Sequence, residues 1–211
     1  MKKQISWFSI IEVLVGILIF SLGLVGIFAL ISSSLRLNDY NKNYIIASNL
    51  AREQLELIKY IRDINYKTLH RWNQINPHLW TGNPNFYSNP DNFFQTGAYY
   101  RIENNISTGA VFWVNVQKIV NFWEGKSELN GRMQEYILCL NNEKIYTHTC
   151  SPDSEKTPFF RYIYLSPLTF SSGWVIVEEN DSFKVTSKVI WYMRWYNEIE
   201  IDTILTDWKR L

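Results

Sequence analysis

The longest unbroken hydrophobic pattern in the chain runs from Val13 to Ile31, VLVGILIFSLGLVGIFALI, nineteen residues without a charge and with Ser21 as the only polar side chain. Crossing a ~30 Å hydrocarbon core takes about 20 such residues in a helix. A core helix of a soluble domain would show a polar face, and this stretch has none. The pattern predicts a transmembrane helix over residues 8–34. A cleaved signal peptide is the rival reading, with a shorter apolar region of ~7–15 residues and a small-residue cleavage site. Ser32, Ser33 and Ser34 imitate such a site, but the run is too long and Glu12 stands where that region should begin. Lys2 and Lys3 precede the stretch, which keeps the N-terminus cytoplasmic and sends the chain after Ile31 across the membrane. A single-pass, envelope-anchored topology follows.

Past the apolar run the pattern changes to one stripe of an amphipathic helix. Leu37, Tyr40, Tyr44, Ala47, Ala51, Leu55, Ile58 and Ile61 recur at spacings of three or four. Arg52–Glu56, Glu56–Lys59 and Lys59–Asp63 are helical neighbours of opposite sign, adding a few tenths of a kcal/mol each. No Pro or Gly interrupts Ser32 to Asp63. A helix from Phe8 to Asp63 would be about 84 Å long at 1.5 Å per residue. Only about 30 Å of that fits in hydrocarbon. The second part, 35–66, must therefore lay its stripe on a soluble domain.

That domain is read as 67–211. Residues 71–97 are crowded with Asn, Pro and Gly and form loops, with at most one short helical piece near Lys67 to Gln74. Their aromatics, Trp72, Trp80, Phe86, Tyr87, Phe93 and Phe94, either cover a sheet or stack on sugars or bases, and covering is the preferred reading. Strands are expected at 98–103, 110–117, 134–140, 144–148, 159–165, 174–179, 183–192 and 196–204. Turns are expected at Asn141-Asn142, since Asn tolerates positive φ, and at Asn180-Asp181-Ser182. The fold class is α+β: a long N-terminal helix on an antiparallel β-sheet head.

Composition narrows the chemistry. Lys+Arg 21 against Asp+Glu 20 leaves a net charge of +1, and without Lys2, Lys3 and Glu12 the remainder is neutral. A polybasic DNA-wrapping or membrane-surface mode finds no support. Aromatic content of 16% supplies enough apolar area to exclude disorder. Cys139 and Cys150 fall in the translocated part, where they either oxidise, closing a loop worth about 3 kcal/mol, or remain a buried thiol and a free one. The three histidines, His70, His78 and His148, make no HExxH or zinc spacing, and no G-x-S-x-G, P-loop or GxGxxG string occurs. No enzyme, metal or cofactor is expected.

Glu12 is the most informative residue. A carboxylate in hydrocarbon costs of order 2.5–3.5 kcal/mol at the centre and less towards the edge. Either it snorkels to the headgroups or it takes a cationic partner, and no Lys or Arg lies between Lys3 and Arg36 to supply one. Ser9, Glu12, Gly16, Gly23 and Gly26 fall within one ~100° sector of a helix, a small-residue face that lets helices approach closely.

The string Phe8-Ser9-Ile10-Ile11-Glu12-Val13-Leu14-Val15 resembles the start of a type IV prepilin or type II secretion pseudopilin. Asn49-Leu50-Ala51-Arg52-Glu53-Gln54-Leu55-Glu56 is similar to the helix of minor pilins, and Ile204-Leu205-Thr206-Asp207-Trp208 to their endings. The resemblance implies a leader, 1–7, removed by a membrane-embedded prepilin peptidase that methylates the new N-terminal Phe8. Trp7 stands before that bond, where the family prefers glycine or another small residue. Cleavage after Ser6 would restore a small residue but shift Glu12 out of register. Glu12 would pair with the N-terminal amine of a neighbouring subunit. The implied partners are other pilin subunits, the peptidase, the inner-membrane pilus assembly machinery and the lipid bilayer, and the implied location is the cell surface after assembly. The alternative is a single-pass envelope-anchored adhesin binding glycan or DNA, for which the sequence offers no direct support.

Overall fold

The computed structural model describes residues 9–75, 90–105, 113–120, 122, 136–172, 175–193 and 195–207. The proposed leader with Trp7 and Phe8, the loop aromatics Trp80, Phe86 and Tyr87, and the tail residue Trp208 lie outside these residues. The chain divides into two compact units, 1–44 and 45–211.

One helix, α1 (Ile10–Lys67, 58 residues), carries both the apolar run and the amphipathic stretch, as the absence of Pro and Gly after Gly26 predicts. Its C-terminus closes with His70 N donating to Asn65 O at 2.8 Å and Leu69 in the left-handed region, φ 60°. This is the Schellman-type stop usually built on glycine. Leucine tolerates the conformation at roughly 1 kcal/mol, so the stop carries no glycine signal in the sequence.

Within the second unit, residues 45–67 of α1 lie on one face of a seven-stranded antiparallel sheet: β1 (Tyr99–Asn105), β2 (Trp113–Ile119), β3 (Ile137–Leu140), β4 (Tyr146–Thr147), β5 (Glu155–Ser172), β6 (Val175–Tyr192) and β7 (Tyr196–Thr206). Strand β5 is central. β6 pairs along one of its edges, while the other is divided between β3, near Glu155 to Phe160, and β1, at Ile163 and Tyr164. β2 and β7 are edge strands.

Eight short strands were expected; the structure extends 159–165 into β5 and joins 174–179 and 183–192 into β6, each of 18 residues. The expected turn at Asn180-Asp181-Ser182 is instead a register shift inside β6. Between the pairs Pro167↔Phe183 and Thr169↔Glu178, one residue of β5 stands opposite four of β6. Both register shifts of β5 have a proline beside them. Pro158 lies within the shift opposite Ile137 and Cys139, and Pro167 borders the second. A residue with no N–H cannot serve the ladder, so the strand bulges there rather than ending. Thr157 Oγ1 donates to Leu138 O at 2.6 Å and repairs the first gap.

The β3–β4 turn also departs from expectation. Lys144, not an asparagine, takes the positive φ of 62°. Asn141 works through its side chain, Oδ1 accepting from Glu143 N at 3.0 Å and Ile145 N at 2.9 Å. That is the local side-chain-to-backbone bonding that makes Asn a turn former. Just beyond, Cys139 and Cys150 form a disulfide with Cα atoms 5.4 Å apart, and no cysteine is free.

The core between α1 and the sheet has two parts. Near Ala47, Leu50 and Ala51 the helix meets Leu138, Phe159, Val189 and Trp191. Near Leu55, Ile58 and Ile61 it meets Tyr100, Ile102, Ile163, Leu165, Val185 and Leu205. The loop aromatics that are described cover this second part. Trp72 stacks on Phe183 at 4.8 Å and Phe94 sits edge-on to Tyr100 at 5.2 Å. The opposite face of the sheet has its own small cluster of Tyr136, Phe160, Tyr162 and Ile190.

Candidate functional site

The sequence places the candidate chemistry at the start of α1. There Ser9 is the cap: its backbone O accepts from Glu12 N at 2.9 Å and Val13 N at 3.3 Å, and its Oγ accepts from Ile11 N at 3.4 Å. Glu12 is the third helical residue, in the first turn. Ser-x-x-Glu is the spacing of a capping box.

Every residue from Ser9 to Lys42 is exposed. The apolar run has the length and composition to cross a membrane, and none of it is buried within the chain. This separates it from a core helix of a soluble domain; a signal sequence shares the same properties. Ser21, its one polar side chain, donates through Oγ to Ile17 O at 2.7 Å, so it needs no water. A Cβ added at Gly16, Gly23 or Gly26 would meet nothing within 4 Å. The small-residue face is open to another molecule.

The amphipathic stripe is shorter than expected. Leu37, Tyr40 and Tyr44 are exposed, and burial begins at Ala47. Of the three anticipated ion pairs, Glu56–Lys59 forms at 3.0 Å, while Asp63 takes Arg62 at 2.9 Å.

Four polar contacts between α1 and the rest of the head were not anticipated. Glu53 Oε2 meets Arg161 Nη1 at 3.0 Å, with the arginine side chain wholly buried in β5. Ser187 Oγ donates to Gln54 at 2.7 Å, and Tyr66 Oη to Asp207 at 2.7 Å. Asn65 Nδ2 donates to the backbone oxygens of Trp72 and Gln74, at 3.1 and 2.9 Å. A signal for two of them exists. Positions 47, 51, 54, 58, 61 and 65 keep a spacing of three or four, so Gln54 and Asn65 stand in the apolar stripe as its polar members.

Where β1 and β3 share the edge of β5, Glu103 is buried and accepts from Thr147 Oγ1 at 2.7 Å, Thr149 N at 3.1 Å and His148 N. His148 is buried beside it. Burial first, then the charges of Arg161 and Arg101, push its imidazole down to about 2. The neutral ring is therefore part of the folded state. Because this pKa lies below that of an unfolded histidine, ~6.5, His148 contributes stability above pH 6.5 that is lost as pH falls. The expected loss is up to ~1.4 kcal/mol per pH unit, or about 2 kcal/mol between pH 6.5 and 5. Glu198 and Asp202 have depressed pKa values and add to acid lability only below ordinary carboxylate values. His148→Gln should remove the slope above pH 5, measured as unfolding midpoints at pH 7, 6 and 5; an unchanged slope would assign it elsewhere.

His70 bonds Thr68 Oγ1 at 2.7 Å on the surface, and His78 lies outside the described residues. No group of three His, Cys, Asp or Glu among the described residues is placed to hold a metal ion. Comparison of the chain with protein-family models, with curated proteins and with solved structures yields no match.

Proposed function

We propose that the protein is a minor type IV pilin or type II secretion pseudopilin, a membrane-inserted subunit assembled into an envelope filament. The observation that carries this reading is α1 itself. One helix runs without interruption from an acid-headed apolar stretch, uncovered along its length, into a stretch covered by a β-sheet. The prepilin-like string around Phe8 and Glu12 supplies the family. On this reading the peptidase cuts after Trp7, the apolar half of α1 packs among its equals in the filament core, and the head faces outward. Glu12 sets the register by accepting the N-terminal ammonium of the next subunit. That ion pair offsets the desolvation cost of a carboxylate in hydrocarbon. The Gly16, Gly23 and Gly26 face gives neighbouring helices room to close.

Glu12→Gln keeps shape and removes the charge. It is expected to reduce the protein in shear-released surface filaments at least tenfold, the equivalent of ~1.4 kcal/mol, while membrane levels stay constant. Undiminished incorporation would overturn the reading. N-terminal mass spectrometry of the recovered protein should find a methylated Phe8.

A further inference from the structure

Among the described residues of the head, exposed large apolar side chains mostly stand singly, but the tip of the β6–β7 hairpin gathers several. Tyr192 is 51% exposed, Met193 44% and Trp195 77%. A lone exposed apolar residue is ordinary, whereas a cluster marks a contact surface. The tip is firmly presented. β6 and β7 pair from Ser182↔Thr206 to Tyr192↔Tyr196 without a register shift. Beyond the last pair, Asn197 Nδ2 donates to Trp195 O at 2.8 Å and Tyr196 Oη to Glu198 Oε2 at 2.8 Å.

The place of the tip follows from the core. Along β6, Phe183 and Val185 share a cluster with Ile58 and Ile61, and Val189 and Trp191 share one with Ala47, Leu50 and Ala51. Strand direction therefore carries Tyr192 to Trp195 to the end of the head where α1 enters it. Ile45, also exposed, stands at that end. It comes 14 positions after Ile31, the last residue of the apolar run, about 21 Å along a helix. A bilayer holding the apolar run is thus tethered close to this end, and a short tether keeps its effective concentration high.

Composition selects the occupant. Tyr and Trp join an apolar ring to a polar group, which suits them to the layer where hydrocarbon gives way to water. Met adds an adaptable apolar chain. Residues 192–197 include no acid, so the headgroups would take in no carboxylate.

We propose that the Tyr192–Trp195 tip seats in the headgroup layer of the bilayer, holding the head at the membrane surface. This rests on the membrane reading of Val13 to Ile31 and not on filament assembly. The test uses the full chain in phosphatidylcholine nanodiscs, one copy per disc. A single nitrobenzoxadiazole label is placed through Leu22→Cys in the apolar run, Met193→Cys at the tip, or Leu69→Cys at the far end of the head. Quenching by iodide is then measured. The Leu69 position should quench freely, and the Met193 and Leu22 positions at least fivefold less. Adding Tyr192→Ser with Trp195→Ser should bring the Met193 position within twofold of the Leu69 value; Trp195→Ser alone serves if the pair does not fold. A freely quenched Leu22 position would overturn the membrane reading and this proposal with it. A shielded Leu22 position beside a Met193 position that quenches like Leu69 would overturn the proposal alone. Shielding that appears only with two copies per disc, a contact between chains, or that survives the serine changes would also overturn it.

Discussion

Trp191→Ala is expected to be among the most damaging single changes in the head, costing about 3–5 kcal/mol. The indole is fully buried and stands where β6 meets the start of the covered part of α1, against Ala47, Leu50, Ala51, Phe159 and Val189. The two alanines leave the helix surface low enough for it to fit, and neither can grow to fill the space it would leave. For a domain of this size each kcal/mol moves the unfolding midpoint by ~2–4 °C, so a fall of roughly 6–20 °C should appear in thermal unfolding of the full chain in micelles. Trp195→Ala, four residues on and 77% exposed, should change stability by less than about 0.5 kcal/mol. Equal effects of the two substitutions would show that the helix does not rest on Trp191.

Glu53→Gln and Arg161→Met should move stability in opposite directions. The Arg161 side chain has no exposure, whereas Glu53 retains 41% of its own, so the charge that cannot escape is the arginine. Removing the carboxylate strands a buried cation, a change that costs about 3–5 kcal/mol for a closed pair and nearer the lower figure here, since water reaches Glu53. Removing the arginine lets Glu53 return to water. Among the described residues Nε and Nη2 of Arg161 have no hydrogen-bond partner, so an apolar side chain of similar length loses little there. Arg161→Met should be neutral or stabilising by about 1–4 kcal/mol. Denaturant unfolding of both single variants and the double variant would test this. The expectation fails if the Met variant is the less stable of the two.

The long helix was legible in the sequence because an apolar run to Ile31 passes directly into an amphipathic stripe with no Pro or Gly between Ser32 and Asp63. The strands after Gly97 were legible as a class, but not in their joins. Local residues such as Asn180-Asp181-Ser182 and Pro167 read as chain reversals, and only pairing to a neighbouring strand converts them into a bulge. Leu69 shows the same limit from the other side, since a stop without glycine leaves no mark. The Cys139–Cys150 bond was one of two open possibilities, decided by the short hairpin that brings the cysteines together. At the candidate site, Glu12 and the glycine face were visible as composition on a helix. The Ser9 cap was not legible, because S-x-x-E here stands at the head of an apolar run whose hydrophobicity dominates the local pattern. Arg161 was illegible altogether: nothing in FFRYIYL says that its charge points toward a glutamate 108 residues earlier.

The polar clasps on α1 join partners that the ribosome makes far apart. Gln54 waits for Ser187, 133 positions later, and Tyr66 for Asp207, 141 positions later. Contacts of such high sequence separation are slow to form, because the loop-closing entropy falls due before the reward. The β3–β4 hairpin, by contrast, closes locally and early. During synthesis the apolar stripe of α1 therefore stays uncovered until the strands that pack on it, β5 and β6 above all, have been made, and its polar clasps close late rather than in order from the N-terminus.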